Sequence, residues 1–232
     1  MRVIICAGPP TTGKTTVLKQ VAKHLLASGK RLAYLKEDVQ FADEDEIFRN
    51  ELGVPARKIL TGELCPDHSH VLTLKDAVHW AQGEQADFFL VETAGLCLRC
   101  APYIENSMGI CVIEVTSGMN LPRKIGPMLS LADIAVVTKI DLVSQAEREV
   151  FRAHVRGAVQ VPMIEVDALH GVNVGRLVHA ILQSQVVQEP MMLRGNPPLA
   201  VCTICAGKKE IGWDKHFGIV RTLDSEITFR GQ

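Results

Sequence analysis

Gly8-Pro9-Pro10-Thr11-Thr12-Gly13-Lys14-Thr15 sets two glycines, a lysine and a hydroxyl at the spacing G-x-x-x-x-G-K-[ST], the pattern of a phosphate-binding loop. Backbone N–H groups and the N-terminus of a following helix would face phosphate oxygens. Gly8, Pro9, Thr11, Thr12, Gly13, Lys14, Thr15 and Thr16 are therefore candidate nucleotide contacts. Lys14 is expected to reach the β- and γ-phosphates, and the Thr15 hydroxyl to sit on Mg2+. Asp38 and Glu92 each stand where a predicted parallel strand ends, on the side of the ligand crevice. With Thr15 they make the expected Mg2+ site. With Lys14 they make the expected catalytic set, Asp38 or Glu92 positioning water or metal.

A second cluster reads the base. In Thr138-Lys139-Ile140-Asp141, Asp141 offers two acceptor oxygens, matching the ring N–H and exocyclic amine of guanine. Adenine lacks both donors, and readout of this kind discriminates by roughly 10⁴-fold. The Lys139 stem is long enough to lie along the base plane. Asp167-Ala168-Leu169, one predicted strand later, is expected to offer backbone N–H groups to the same base.

Cysteines carry the third kind of chemistry. There are seven, and four form the pairs Cys97/Cys100 and Cys202/Cys205. Met1-Arg2 leads straight into a strand and no apolar run reaches membrane-spanning length. Both point to the cytoplasm, where structural disulfides are rare, so the C-x-x-C pairs read as metal-binding or redox-active. Cys202-x-x-Cys205, followed by Ala206-Gly207-Lys208, has the form of half a four-thiolate zinc site. Cys6 and Cys111 fall within predicted strands and read as core.

These groups need a scaffold. Arg2–Cys6 is a strand rich in β-branched residues, and Lys14–Ala27 has helical spacing with Val17, Leu18, Val21, Leu25 and Leu26 on one face. Further strands are predicted at 31–35, 87–92, 109–116, 132–137 and 161–166. Helices are predicted at 73–82, 144–158 and 173–185, the last N-capped by Asn173. A short helix broken at Pro127 fits between 122 and 131. Thr61–His70 reads as a loop from its Gly, Pro and Asp content, and Asp43–Glu46 as a solvated helix start. Alternating strands and helices mean an α/β fold with a mostly parallel sheet covered on both faces. The composition shifts at Glu189-Pro190, so residues 1–188 are expected to form the nucleotide domain and 189–232 a β-rich, cysteine-containing extension. With 47% hydrophobic and 22% charged residues the chain is globular, and its formal net charge of −1 gives no support for a nucleic-acid or membrane surface.

Glu92-Thr93-Ala94-Gly95 resembles the E-x-x-G that ends the Walker B strand of the SIMIBI-class metallochaperone GTPases, the HypB, UreG and CobW group. Thr61-Gly62-Glu63-Leu64-Cys65-Pro66 is similar to T-G-x-x-C-H of HypB and T-G-x-C-P-H of UreG. Asp38-Val39 with Asp43 also resembles HypB, and Thr138-Lys139-Ile140-Asp141 the guanine motif N-K-x-D with Thr for Asn. Asp167 stands where such GTPases have a serine. The resemblance runs from about Arg2 to Gln185. The family histidine beside the cysteine is here Asp67, with His68 and His70 beyond it, and the C-x-x-C after E-x-x-G stands where HypB has one cysteine.

The resemblance implies a P-loop NTPase fold, GTP and Mg2+, and a cytoplasmic homodimer serving a client metalloenzyme or another maturation protein. It also implies that the loops bearing Cys65 and Cys97/Cys100 move with the nucleotide. Cys65, His68, Cys97 and Cys100 are then the expected transition-metal ligands, with Cys202 and Cys205 a possible second site. Thiolates suit Ni2+, Zn2+ or an iron–sulfur cluster. The leading expectation is a GTPase that delivers a metal, nickel above others, to a metalloenzyme. Alternatives are a cobalt or zinc chaperone of the CobW type and a nucleotide-dependent iron–sulfur dimer acting in electron transfer or cofactor maturation. A small-molecule kinase is disfavoured by the guanine motif.

Overall fold

The computed structural model describes residues 1–95, 101–195, 208–225 and 227–231. In chain order its elements are β1 (Arg2–Ala7), α1 (Lys14–Ala27), β2 (Leu32–Asp38), α2 (Glu44–Leu52), β3 (Ala56–Leu60), α3 (Pro66–Gly83) and β4 (Phe88–Glu92). There follow β5 (Met108–Glu114), α4 (Leu121–Lys124), α5 (Gly126–Ser130), β6 (Ile134–Thr138), α6 (Gln145–Ala158), β7 (Met163–Glu165) and α7 (Val174–Leu182). The hairpin strands β8 (Gly218–Val220) and β9 (Thr228–Arg230) come last.

Seven strands pair in the order β3-β2-β4-β1-β5-β6-β7, each neighbouring pair parallel. Period-two alternation divides β1 between two cores. Val3, Ile5 and Ala7 face one, with Leu74 and Val78 of α3 and Phe151 of α6. Ile4 and Cys6 face the other, with Val17, Leu18 and Val21 of α1, Phe48 of α2 and Leu177 of α7. Both faces being covered, the strands read as apolar runs. The chain turns off β1 in one direction and off β4 in another, so the crevice at their C-terminal ends is where a ligand belongs.

Several expectations needed correction. The segment read as a loop at Thr61–His70 enters helix α3 at Pro66, with Cys65 as the preceding cap residue. Pro at the first helical position and an acid in the first turn are helix-start signals as much as loop signals. β3 escaped the sequence reading because it is an edge strand pairing with β2 alone and carries Arg57 and Lys58, as edges do. The acidic run at 43–46 is not all solvated: Asp45 is buried against Arg49 and Lys58. Asn173 stands at the N-cap of α7 as expected, but it is left-handed and its side chain makes no capping bond; its Nδ2 donates instead to the Glu165 carbonyl at 3.0 Å. The helix after β6 starts as expected, with a reciprocal Ser144–Glu147 capping box.

Within residues 189–232, Met191, Leu193 and Ile211 share the core of α3 and Phe89. The Gly212 N–H donates to the Val71 carbonyl at 2.9 Å, and the Arg194 N–H to Tyr103 at 2.8 Å. β8 and β9 pair antiparallel.

Candidate functional site

A cleft of about 320 Å³ opens at the end of β1 and β4, lined by Pro10, Thr11, Gly13, Lys14, Thr15, Thr16, Lys36, Asp38, Glu44, Glu92 and Ala94. A second cleft of about 270 Å³ continues from it through Thr11, Gly13 and Thr16 to Thr138, Lys139, Asp141, Asp167, Ala168 and Leu169. The residues singled out for phosphate and for base therefore stand along one groove.

The loop between β1 and α1 is folded by its glycines. Gly13 is left-handed at φ +86° and stands at the N-cap of α1, so the chain turns there into the helix, whose first N–H groups have no intrahelical partner. Gly95 is left-handed too, and a Cβ there would meet the Gly8 carbonyl at 1.9 Å and Lys14 Nζ at 3.2 Å. The E-x-x-G glycine thus lets the end of β4 lie directly on the phosphate loop. The Thr12 hydroxyl donates to the Pro9 carbonyl at 2.9 Å, and Lys14 Nζ donates to the Gly8 and Pro9 carbonyls at 3.1 Å each. Burial holds the Lys14 ammonium below the usual lysine range, with the Glu92 charge acting against it.

Glu92 collects three donors. Thr15 Oγ1 and Lys36 Nζ each donate to its Oε1 at 2.8 Å, and the Tyr34 hydroxyl donates to Oε2 at 2.8 Å. Asp38, the last residue of β2, accepts the Val39 N–H at 2.8 Å and lies 3.3 Å from Lys36 Nζ. Alternation along β2 puts Tyr34, Lys36 and Asp38 on one face and Glu37 on the other. Burial alone would lower the Lys36 ammonium, yet Glu92 and Glu44 hold it above the ordinary lysine value. The oxygens of Thr15, Asp38 and Glu92, beside Lys14, fit the hard-oxygen preference of Mg2+, which keeps waters and phosphates among its ligands. Lys36, Tyr34 and Glu44 were missed by sequence reasoning. The available signal was a lysine in a strand buried on both faces, which must be paired.

At the base end, Thr138 Oγ1 donates to the Thr12 carbonyl at 2.7 Å, bracing β6 against the phosphate loop despite replacing the longer Asn. Lys139 is left-handed, and its ammonium pairs with Glu114. Asp141 is exposed at the groove. Asp167 Oδ1 accepts the Leu169 and His170 N–H groups at 3.1 Å each, and Oδ2 lies 2.6 Å from His170 Nδ1. Burial would raise this carboxyl, but the His170 ring and backbone bonds hold it below the usual range. Gln20 of α1 donates to the Ala168 carbonyl at 2.9 Å, fixing the loop to the helix.

On the opposite face of β2, His70 of α3 is clamped. Its Nδ1 lies 2.8 Å from Glu37 Oε2 and its Nε2 2.8 Å from the Pro102 carbonyl. Two acceptors on two ring nitrogens favour the doubly protonated imidazolium. Burial acts against it, but Glu37 outweighs that and raises His70 above the usual histidine range.

Of the cysteines, Cys65 is exposed at the start of α3, with Sγ 4.0 Å from Asp67 Oδ2. His68 is buried one turn on and meets the Ile219 carbonyl at 3.0 Å. Cys97, Cys100, Cys202 and Cys205 lie outside the described residues. Among the described residues, no three His, Cys, Asp or Glu side chains are arranged to hold a metal ion. Cys6 and Cys111 are buried core thiols, as expected, and burial pushes Cys111 up to about 12. No helix among the described residues is long and apolar enough to cross a membrane.

The chain is similar to several known proteins. The CobW/HypB/UreG nucleotide-binding domain matches residues 2–161. The chain is 41% identical to an uncharacterised protein of Methanocaldococcus jannaschii, over 100% of both chains. It is 33% identical to the urease accessory protein UreG of Photorhabdus laumondii, covering 76% of this chain and 90% of that one. Among solved structures it resembles the hydrogenase maturation factor HypB of Archaeoglobus fulgidus, with a TM-score of 0.62 at 19% identity, over 78% of this chain and 89% of that one. It also resembles HypB of Helicobacter pylori in complex with nickel, with a TM-score of 0.62 at 20% identity, over 82% and 91%. At these identities the two structures speak to the fold, a P-loop NTPase sheet.

Proposed function

The chain belongs to the CobW/HypB/UreG family of P-loop metallochaperone GTPases, and we propose that it hydrolyses GTP to drive delivery of a transition metal, nickel above others, during maturation of a metalloenzyme. The observation that carries the nucleotide half is the single groove running from Lys14 and Glu92 to Asp141, braced at its middle by the Thr138–Thr12 bond. Asp141 selects guanine; Asp167, Ala168 and Leu169 border the base; Lys14 takes the β- and γ-phosphates. Thr15, Asp38 and Glu92 hold Mg2+, which supplies charge neutralisation on the phosphates. Asp38 or Glu92 orients the attacking water.

The metal half rests on family membership, on the relatives' roles in urease and hydrogenase maturation, and on the nickel complex of one of them. In this reading Cys65, His68, Cys97 and Cys100 are the cargo site, and Cys202 with Cys205 a second one. The protein works as a cytoplasmic homodimer, with a client enzyme or another maturation factor as its partner. Competition of GTP and ATP for the apo-protein tests the nucleotide half. GTP should win by orders of magnitude, and Asp141→Asn should erode the preference. Equal affinities in the native protein would reject guanine selection.

A further inference from the structure

Two lysines are buried among the described residues, Lys14 and Lys36. Lys14 belongs to the phosphate loop. Lys36 has no part in the chemistry above, yet its side chain lines the same cleft and is only 4% exposed. Its ammonium stands among three carboxylates: Glu92 Oε1 at 2.8 Å, Glu44 Oε1 at 3.0 Å and Asp38 Oδ2 at 3.3 Å. The position is built into the sheet, because the parallel register of β2 on β4 sets Lys36 opposite Glu92. A lysine one residue to either side would point to the other face.

The oxygen that Lys36 holds is also the one that accepts the Thr15 hydroxyl. Thr15 and Glu92 are the groups assigned to Mg2+, so ammonium and Mg2+ seek the same carboxylate. An ammonium and Mg2+ on the same carboxylate oxygen repel one another at a partly buried site, and Mg2+ demands short, regular ligand distances, so each weakens the other's hold. Lys36 need not become an unpaired buried charge when it yields, which would be costly, because Glu44 already holds it from the side of α2.

We propose that Lys36 is a resident counter-cation that competes with Mg2+ for Glu92, and that Glu44 is the carboxylate onto which its ammonium withdraws when the ion binds. The proposal rests on reading the cleft as a Mg2+–nucleotide site. It gives that site a regulatory property: Lys36 keeps the acidic corner neutralised between turnovers and raises the Mg2+ concentration needed to engage the nucleotide.

The test is a Mg2+ titration of EDTA-stripped protein at fixed, saturating N-methylanthraniloyl-GDP, read by fluorescence, for the native protein, Lys36→Met, Glu44→Gln and the double variant. Lys36→Met should lower the half-saturating Mg2+ by about tenfold or more, since a competing unit charge is gone. Glu44→Gln should raise it. Most of that second effect should vanish when Lys36 is already Met, because Glu44 then has no ammonium to hold. Lys36→Arg keeps the charge, and its half-point should stay at or above the native one even if Lys36→Met fails to fold. A half-point in Lys36→Met equal to or above the native value, one in Lys36→Arg below it, or a Glu44→Gln effect that is the same with and without Lys36 would overturn the proposal. Failure of the native protein to bind the nucleotide at any Mg2+ concentration would instead overturn the nucleotide reading beneath it.

Discussion

Thr15 Oγ1 donates to Glu92 Oε1 at 2.8 Å, joining the first turn of α1 to the end of β4 across 77 positions of sequence. The hydroxyl and the carboxylate are thus already matched to one another at the place where Mg2+ and the γ-phosphate are expected. Hydrolysis should depend on this corner. Without an activator the native protein should turn over slowly, roughly 10⁻⁴ to 10⁻² s⁻¹ by comparison with unaided GTPases. Lys14→Ala should abolish release of phosphate from GTP. Undiminished release in that variant would take the loop out of the reaction.

Gly95 should tolerate no side chain. A Cβ would sit 1.9 Å from the Gly8 carbonyl, at a left-handed φ of +71°. Gly95→Ala must therefore move the phosphate loop or the end of β4. Nucleotide affinity should fall well before the fold is lost, and stability by about 1–3 kcal/mol from the strained backbone. Calorimetric binding beside a urea melt reads both. Native-like nucleotide affinity would mean the two segments are not held together.

Thr138→Val removes a buried hydroxyl that donates to the Thr12 carbonyl at 2.7 Å and also reaches the Ile113 carbonyl at 3.3 Å, while keeping the side chain's shape. The cost should be about 1 kcal/mol, or about fivefold in GTP affinity. The preference for GTP over ATP should survive, since Asp141 is untouched. Loss of base preference in Thr138→Val would show that Thr138 shapes the base site as well as bracing the loop.

The His70–Glu37 pair makes stability depend on pH. His70 is raised in the native state by Glu37 despite burial, with Asp67 adding to the effect. A raised native value means the pair's contribution is full below the unfolded histidine value, about 6.5, and is lost as pH rises through the native one. Glu37→Gln should therefore cost most below about pH 6.5, on the order of 3–5 kcal/mol for breaking a buried pair, and progressively less toward alkaline pH. Denaturant melts across that range check it. A penalty independent of pH would mean the imidazole is neutral throughout.

The parts of the site that were legible are those where backbone geometry or a base edge dictates residue type. Gly13 and Gly95 are glycine because both adopt positive φ. Asp141 was legible as a groove residue from its place just after a buried strand, and it does line the groove. Lys36 was legible only as a buried-strand lysine that must be paired; which carboxylate stands opposite it follows from the β2–β4 register, which no local pattern encodes. His70 was hidden in a segment whose Pro66 and Asp67 fit a loop and a helix start equally well; only the buried face of α3 decides between them. The strand order itself follows from alternation and hydrophobic runs only as a class, so the edge strand β3, short and basic, went unread.

Nucleotide state should control metal binding. In sequence Cys65 follows the segment leading from Asp38, and Cys97/Cys100 follow Glu92, so cysteines flank both segments expected to sense the γ-phosphate. The direct measurement is titration of Ni2+ and Zn2+ into the protein loaded with GDP and with a non-hydrolysable GTP analogue, for the native chain, Cys65→Ala and Cys97→Ala. Metal affinity should differ between the two nucleotide states by roughly 5- to 150-fold, with metal shifting nucleotide affinity by the same factor. Both variants should bind metal more weakly, and binding should weaken at acid pH as thiolates take up protons. Identical metal affinity in the GDP and GTP-analogue states, or undiminished affinity in both variants, would contradict the account.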